Sequence, residues 1–178
     1  MSLRQSNRTL RELRQPAPGE RGFAVGEMTL DDLDEIMAIE ENSFVTPWTR
    51  KLFMEECRNH RSKMFVARNA RREIAGYLCA WFVEDEMHIL NLACHPRFRR
   101  RKVATRLLTH CLAHAGARGV KWAYLEVRRF NDQAMSLYVK QGFKPVGVRR
   151  GYYTDTREDA VVMALEMKPS SSASRPPG

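Results

Sequence analysis

The sequence predicts an α/β sandwich on a central mixed, mostly antiparallel sheet, and three observations carry that reading. Apolar runs at 64–68, 74–83 and 87–94 are separated only by polar turns at 70–73 and 84–86, which makes an antiparallel meander. From about 102 the period becomes helical, with Val103, Leu107, Leu108, Cys111, Leu112 and Ala115 on one face. A strand at 120–127 follows, so a strand–helix–strand crossover sits in the middle of the chain and mixes the sheet.

The other elements fall in order around that frame. Residues 22–29 read as a first strand. Thr29 then caps a helix with Asp31 and Asp32 in its first turn, where carboxylates suit the positive end of the helix dipole. Leu33, Ile36, Met37 and Ile39 of that helix turn inward. Residues 44–48 form a loop around Pro47, and a second short helix follows at Leu52, Phe53 and Cys57. Gly116 and Gly119 end the long helix. A further helix over about 132–141 is closed by Gly142, and strands at 143–148 and 160–167 complete the chain.

At 178 residues the chain is long enough for one full core. The domain is expected over 22–168, between an Arg-rich leader at 1–21 (Arg4, Arg8, Arg11, Arg14) and a Ser- and Pro-rich tail at 169–178, both read as disordered. No apolar run approaches the roughly 18 residues that span a bilayer, and the N-terminus lacks the compact apolar stretch of a secretory signal. Cys57, Cys79, Cys94 and Cys111 show neither metal spacing nor a disulfide framework, so reduced, buried thiols in a cytoplasmic setting are expected. His110 and His114 lie four apart on a helix without a third ligand; they read as a solvated face, and no metal is expected.

A formal charge of +9 and a pI near 9.8 call for an anionic partner: nucleic acid, an acidic surface or a phosphorylated cofactor. Arg97, Arg99, Arg100, Arg101 and Lys102 lie in the turn between an apolar strand and an amphipathic helix. Unpaired N–H groups and the dipole at a helix start form an anion site, which these cations deepen. A solvated basic turn is the plainer alternative. A P-loop is excluded, because no Gly-x-x-x-x-Gly-Lys-Ser/Thr is present.

Downstream, Leu125-Glu126-Val127-Arg128 runs into Asn131, Ala134, Leu137-Tyr138 and Gly142-Phe143. Period two places Val120, Trp122, Tyr124 and Glu126 on one face of the strand. A carboxylate continuing an aromatic stripe is out of place, since a buried one raises its pKa or destabilises the fold. A strand-end Glu that reaches water is the plainer reading of that residue alone.

Together these residues resemble the GNAT N-acetyltransferase superfamily, whose phosphate loop has the pattern Gln/Arg-x-x-Gly-x-Gly/Ala before a helix; here it is Arg99-Arg100-Arg101-Lys102-Val103-Ala104. Within it the chain resembles the RimI type, the ribosomal-protein alanine N-acetyltransferases. The likeness runs over about 24–167 through Phe44…Pro47-Trp48, Asn91-Leu92-Ala93, Glu126-Val127-Arg128, Asn131, Leu137-Tyr138, Gly142-Phe143, Arg149-Arg150-Gly151-Tyr152-Tyr153 and Arg157-Glu158-Asp159-Ala160. The phosphate loop alone is weakly specific; the later motifs in this order are much more so. Two residues depart from the family pattern. Lys102 stands at the first glycine of the loop, where a helical φ would let it fit, and Phe130 stands where relatives often carry a small polar residue, beside Asn131.

The resemblance implies a GNAT-type α/β/α sandwich whose sheet splays open for acetyl-CoA between the 87–94 and 120–127 strands. It implies that the main chain of Leu92, Ala93 and Cys94 pairs with the pantetheine arm, and that the N–H groups of Arg100, Arg101, Lys102, Val103, Ala104 and Thr105 hold the pyrophosphate. Asn131 would hydrogen-bond the cofactor arm, Glu126 would be the general base through a water, and Tyr138 the acid for the departing thiolate. A main-chain N–H near residue 93 would polarise the thioester carbonyl. Plainer readings stand beside these: Tyr138 shares a helix face with Ala134 and Gln141, and Asn131 is a good N-cap. Cys94 suggests an acetyl-cysteine route, but no base neighbours it in sequence, so direct transfer is expected.

The implied acceptor is a protein N-terminus, first of all the alanine of a small-subunit ribosomal protein, with ribosome association and without membrane or specific DNA binding. An α-amine with a pKa of about 7.8 loses its proton some 3.5 kcal/mol more easily than a lysine at about 10.4, which suits a site with one carboxylate. Trp48 and the Tyr152-Tyr153 pair, on the loop before the last strand, would wall a narrow slot for it. The net positive charge counts against a basic acceptor, unless acids such as Glu40, Glu41 and Asp155 form its rim. Broader N-terminal or lysine acetylation is the enzymatic alternative. A basic RNA- or ribosome-binding module is the other, and it leaves Glu126, Asn131 and Tyr138 without a joint purpose.

Overall fold

In the computed structural model, which describes residues 22–167, the chain runs β1 (Ala24–Glu27), α1 (Leu33–Glu41), α2 (Arg50–Arg58), β2 (Ser62–Arg68), β3 (Ile74–Val83), β4 (Glu86–Cys94), α3 (Val103–Ala117), β5 (Trp122–Arg128), α4 (Asp132–Lys140), β6 (Lys144–Tyr153) and β7 (Glu158–Glu166). Short 3₁₀ turns at Leu30–Asp32 and Pro96–Phe98 precede α1 and α3. The leader and tail read from the sequence lie outside the described residues.

The strands form one seven-stranded sheet in the order β1-β2-β3-β4-β5-β7-β6. Every neighbouring pair is antiparallel except β4 and β5, which are joined by the crossover through α3. α3 and α4 bury Leu107, Leu108, Cys111 and Tyr138 against one face of the sheet. On the other face, α1 and α2 bury Leu33, Ile36, Ile39 and Phe53 against Val66, Tyr77 and Ala93 of β2, β3 and β4. This is the predicted mixed α/β sandwich, with its core in two layers.

Several details depart from the sequence reading. The buried residues of β5 are Ala123, Leu125 and Val127, facing α3 and α4; Trp122, Tyr124 and Glu126 face the side where α1 and α2 do not reach. The aromatic stripe is therefore the open face of the strand, and Glu126 does not break a core pattern. Gly116 lies inside α3, and the stop comes at Gly119, whose φ of +77° a side chain would strain. β6 runs on to Tyr153, so Tyr152 and Tyr153 end a strand rather than sit in a loop. Cys57 is exposed, because α2 turns Phe53 and Glu56 inward; Cys79 and Cys111 are buried. His110 is exposed as expected, whereas His114 is half-buried, packed edge-on against Phe65 and Phe82 with ring centroids at 5.3 and 5.4 Å.

The opening in the sheet has a local cause. β4 pairs with β5 only from Glu86 to Ile89. On its other side Ala80 faces Ile89 while Cys79 faces Asn91, so Leu90 is an extra residue in β4. Such a bulge bends its strand and strengthens the local twist. β5 meanwhile stays paired with β7 from Trp122 to Arg128. The two strands part beyond the bulge, and the β5-facing main chain of β4 at 90–94 is left without a strand partner. Gly76 of β3 backs this segment closely: a Cβ there would stand 2.6 Å from the Ala93 carbonyl oxygen.

Candidate active site

The gap between β4 and β5 opens into a cleft of about 390 Å³. Leu92, Glu126, Asn131, Tyr138, Trp48, Tyr152 and Tyr153, all singled out in the sequence, line it together. Ala93 and Cys94 continue β4 beyond the lining, with Ala93 buried toward α1. Arg100, Arg101, Lys102, Val103, Ala104 and Thr105 form the turn and first residues of α3, also outside the lining. Phe130 is 79% exposed and takes no part in the floor beside Asn131.

Glu126 reaches the cleft from the part of β5 where β4 has left it, and Arg149 of β6 approaches its carboxylate to 3.2 Å. Sequence reading missed this pair, because the two residues are brought together only by the β5-β7-β6 order. Across the cleft, Tyr138 is buried on α4, edge-on to Phe143 at 5.9 Å. Burial pushes its phenol above the ordinary tyrosine value, so it holds its proton throughout the neutral range. Asn131 caps α4, its side-chain oxygen accepting from the Ala134 N–H at 3.1 Å, and its side also faces the cleft. Burial pushes the Cys94 thiol up to about 11, which keeps it a poor nucleophile at neutral pH.

The side of the cleft under the α1–α2 and β6–β7 loops is organised by two buried or paired carboxylates. Glu40, expected on the rim, is 0% exposed. It accepts from the Trp48 N–H at 2.8 Å, from Asn91 Nδ2 at 3.2 Å and from the Tyr77 hydroxyl. Burial raises its pKa, and the donors oppose that rise. Glu40 thus ties the α1–α2 loop to β4 at the bulge. Glu41 is exposed, and it does not line the cleft. Asp155, on the β6–β7 loop, accepts from Arg128 at 2.6 Å, which holds its carboxyl below the usual value. Arg128 also meets Glu158 at 3.3 Å and lies 4.0 Å over the Tyr153 ring. Thr46 reaches Asp155 at 3.5 Å, so the two loops meet over the cleft.

At the foot of α3 the backbone departs from expectation. Lys102 has φ +62°, and Arg100 has φ +60°. Lys102 keeps the left-handed backbone that a glycine would adopt there, rather than a helical one, at a strain of about 1–2 kcal/mol. Phe98 anchors the turn, edge-on to Phe23 at 5.7 Å, with Arg101 over both rings at 5.5 and 5.7 Å. Val103 is buried, and its side chain packs against β3, with Cγ1 3.0 Å from the place of a Gly76 Cβ. A free β4 edge, a helix N-terminus and a cluster of exposed cations suit a long, extended ligand that carries phosphates. Among the described residues no group of three or more His, Cys, Asp or Glu could hold a metal ion, and no helix is long and apolar enough to cross a membrane.

Residues 33–143 match the Acetyltransferase (GNAT) family, and the chain belongs to it. It is therefore an enzyme of the acyltransferase class, built on the splayed sheet described above. Within the family it resembles the RimI type. A Bacillus subtilis (strain 168) protein with the provisional name ribosomal protein bS18-alanine N-acetyltransferase is 34% identical over 140 residues, 79% of this chain and 93% of that one. The ribosomal protein bS18-alanine N-acetyltransferase of Escherichia coli (strain K12) is 32% identical over 143 residues, 79% of this chain and 95% of its own. The crystal structure of the ribosomal-protein-S18-alanine N-acetyltransferase from Escherichia coli superposes with a TM-score of 0.77 at 30% identity, covering 86% of this chain and 99% of that one.

Proposed function

We propose that this chain is an acetyl-CoA-dependent N-α-acetyltransferase that acts on a protein N-terminus, with the N-terminal alanine of ribosomal protein bS18 as its acceptor. The catalytic domain is 22–168, and the acceptor makes the enzyme a cytoplasmic one. The observation that carries the reading is the convergence of Glu126, Tyr138 and the unpaired edge of β4 on one cleft. The relatives named above support the choice of acceptor.

Acetyl-CoA supplies an activated acyl group as a thioester. The β4 main chain at Leu92–Cys94 holds its arm as an added strand, and the turn at 100–105 takes the diphosphate on backbone N–H groups. Asn131 contacts the arm, and the main-chain N–H near residue 93 donates to the thioester carbonyl. Glu126 removes a proton from the acceptor amine, through a water, as the new N–C bond forms. Tyr138 gives its proton to the sulfur as the C–S bond breaks, and it recovers one from solvent afterwards. Arg149, 3.2 Å from the Glu126 carboxylate, holds it aimed between the strands. Trp48, Tyr152 and Tyr153 wall the slot that admits an unbranched chain end. With Cys94 protonated, transfer is direct and needs no covalent enzyme intermediate.

The test is release of CoA thiol from acetyl-CoA with an Ala-starting bS18 peptide. Glu126→Gln and Tyr138→Phe are each expected to lower kcat by about 10²-fold or more, with the KM for acetyl-CoA little changed. Wild-type rates in both variants overturn the catalytic assignment. Turnover restricted to α-blocked, lysine-containing peptides overturns the acceptor.

A further inference from the structure

Beside the cleft, α1 and α2 leave part of one sheet face uncovered, and α2 reaches it only at its edge, where Glu56 accepts from the Trp81 indole N–H at 2.6 Å. The strand register sets Trp81, His88 and Tyr124 side by side across β3, β4 and β5, with Trp122 two residues along from Tyr124. His88 stacks on Tyr124 at 5.3 Å and 25°, and Trp122 on Tyr124 at 6.2 Å and 20°. Trp81 and Trp122 are 36% and 37% exposed, a large aromatic surface to leave in water. Carboxylates border it. Glu86 and Glu166 flank Trp122 in the register, and Glu86 also meets His88 at 3.0 Å. Glu84 and Asp85 lie in the adjoining turn. The cations facing this patch are Lys121, paired with Asp85 at 3.1 Å, and Lys144, beyond Ala164 in the same row as Tyr124. Acids therefore outnumber cations here, on a chain whose net charge is +9.

The face is continuous with the acceptor slot. Glu126 lies two residues beyond Tyr124 on the same side of β5, and Leu90 of the cleft two beyond His88. At about 3.3 Å per residue, the path from Glu126 to Trp122 is about 13 Å, the length of about four extended residues. On the opposite side the loops meet at Thr46 and Asp155, which directs an emerging chain over the sheet.

We propose that this aromatic and acidic face is the docking track for the acceptor polypeptide beyond its acetylated residue, and that it selects cationic side chains near positions three to six. The proposal rests on the reading of the cleft as an N-terminal acetyltransferase site. Ring faces attract guanidinium and ammonium groups, and the bordering carboxylates pair with them. The chain thus separates its charges: the cations of the α3 turn serve the phosphates, and the acids of this face serve the acceptor.

The experiment uses the full chain with three Ala-starting peptides: a tripeptide, an octapeptide with Arg at positions four to six, and the same octapeptide with Gln there. Wild type is expected to turn over the Arg octapeptide with a kcat/KM about tenfold above the Gln one, a gap that narrows with salt. Trp122→Ala and the milder, exposed Glu166→Gln are expected to shrink that gap several-fold and to leave tripeptide turnover unchanged. Equal wild-type rates for the two octapeptides overturn the proposal, as does a gap preserved in both variants. Should no peptide be turned over, the acetyltransferase reading fails. Tryptophan fluorescence on adding the two octapeptides then tests the track separately, and equal binding overturns it.

Discussion

The turn at the foot of α3 and the wall of the cleft treat charge in opposite ways. At the foot of α3, Arg99, Arg100 and Lys102 have no carboxylate within ion-pair reach among the described residues, and Arg97 has Glu73 only at 4.0 Å. At the β5 wall of the cleft, Arg128 meets Asp155 and Glu158, and Arg149 meets Glu126. Repelling cations on a strained turn favour an anion arriving from solution. Cations already matched to carboxylates instead fix the shape of a wall. The net charge of +9 says nothing of this division, which depends on how the charges are distributed.

Charge reversal tests the comparison most severely. Arg100→Glu with Arg101→Glu is expected to raise the KM for acetyl-CoA at least about tenfold, and to leave the acceptor KM within twofold. A matching rise for the acceptor would show that the two regions are not separate. Next comes the buried anchor of the acceptor loop. Glu40→Ala leaves the Trp48 N–H, Tyr77 hydroxyl and Asn91 amide without their acceptor, so a loss of about 2–3 kcal/mol is expected in chemical denaturation. The acceptor KM should rise with it, because Trp48 is no longer held. An unchanged acceptor KM would remove Glu40 from the account of the slot.

Lys102→Gly is expected to act in the reverse sense at the α3 turn. Glycine accepts φ +62° without strain, so stability should rise by about 1 kcal/mol while acetyl-CoA binds no tighter. A destabilised variant would mean that the lysine side chain does more than occupy the turn. The smallest effect is in acid. The Asp155 carboxyl is held below its ordinary value of 3.8, chiefly by the hydrogen bond from Arg128. Its contribution is present above 3.8 and is lost as pH falls through the lowered value. Unfolding followed from about pH 7 down to about pH 3 should show a shallower acid slope for Asp155→Asn than for wild type.

Much of this was legible before any fold was known, and what was legible was local. Asn131 reads as a cap and is one; the meander and the long helix read from period and turn chemistry; the order Glu126, Asn131, Tyr138 places three residues within one strand–turn–helix unit. What stayed hidden depends on partners distant in sequence. Arg149 finds Glu126 through β7, and Glu40 is buried by Trp48, Tyr77 and Asn91, each arriving from a different segment. Period two showed that Trp122, Tyr124 and Glu126 share a face, but not which face the helices cover.

The sequence by itself determined the elements and their order, because capping, turn chemistry and periodicity act over a few residues. The tertiary structure alone decided that Leu90 bulges and parts the sheet, that Lys102 bends left-handed, and that acids gather on the bare face beside Glu126. The physical reason is that burial and charge pairing are properties of residues brought together across the sheet. A residue's chemistry is written in its side chain, but its environment is set by strands and helices packed from elsewhere in the chain.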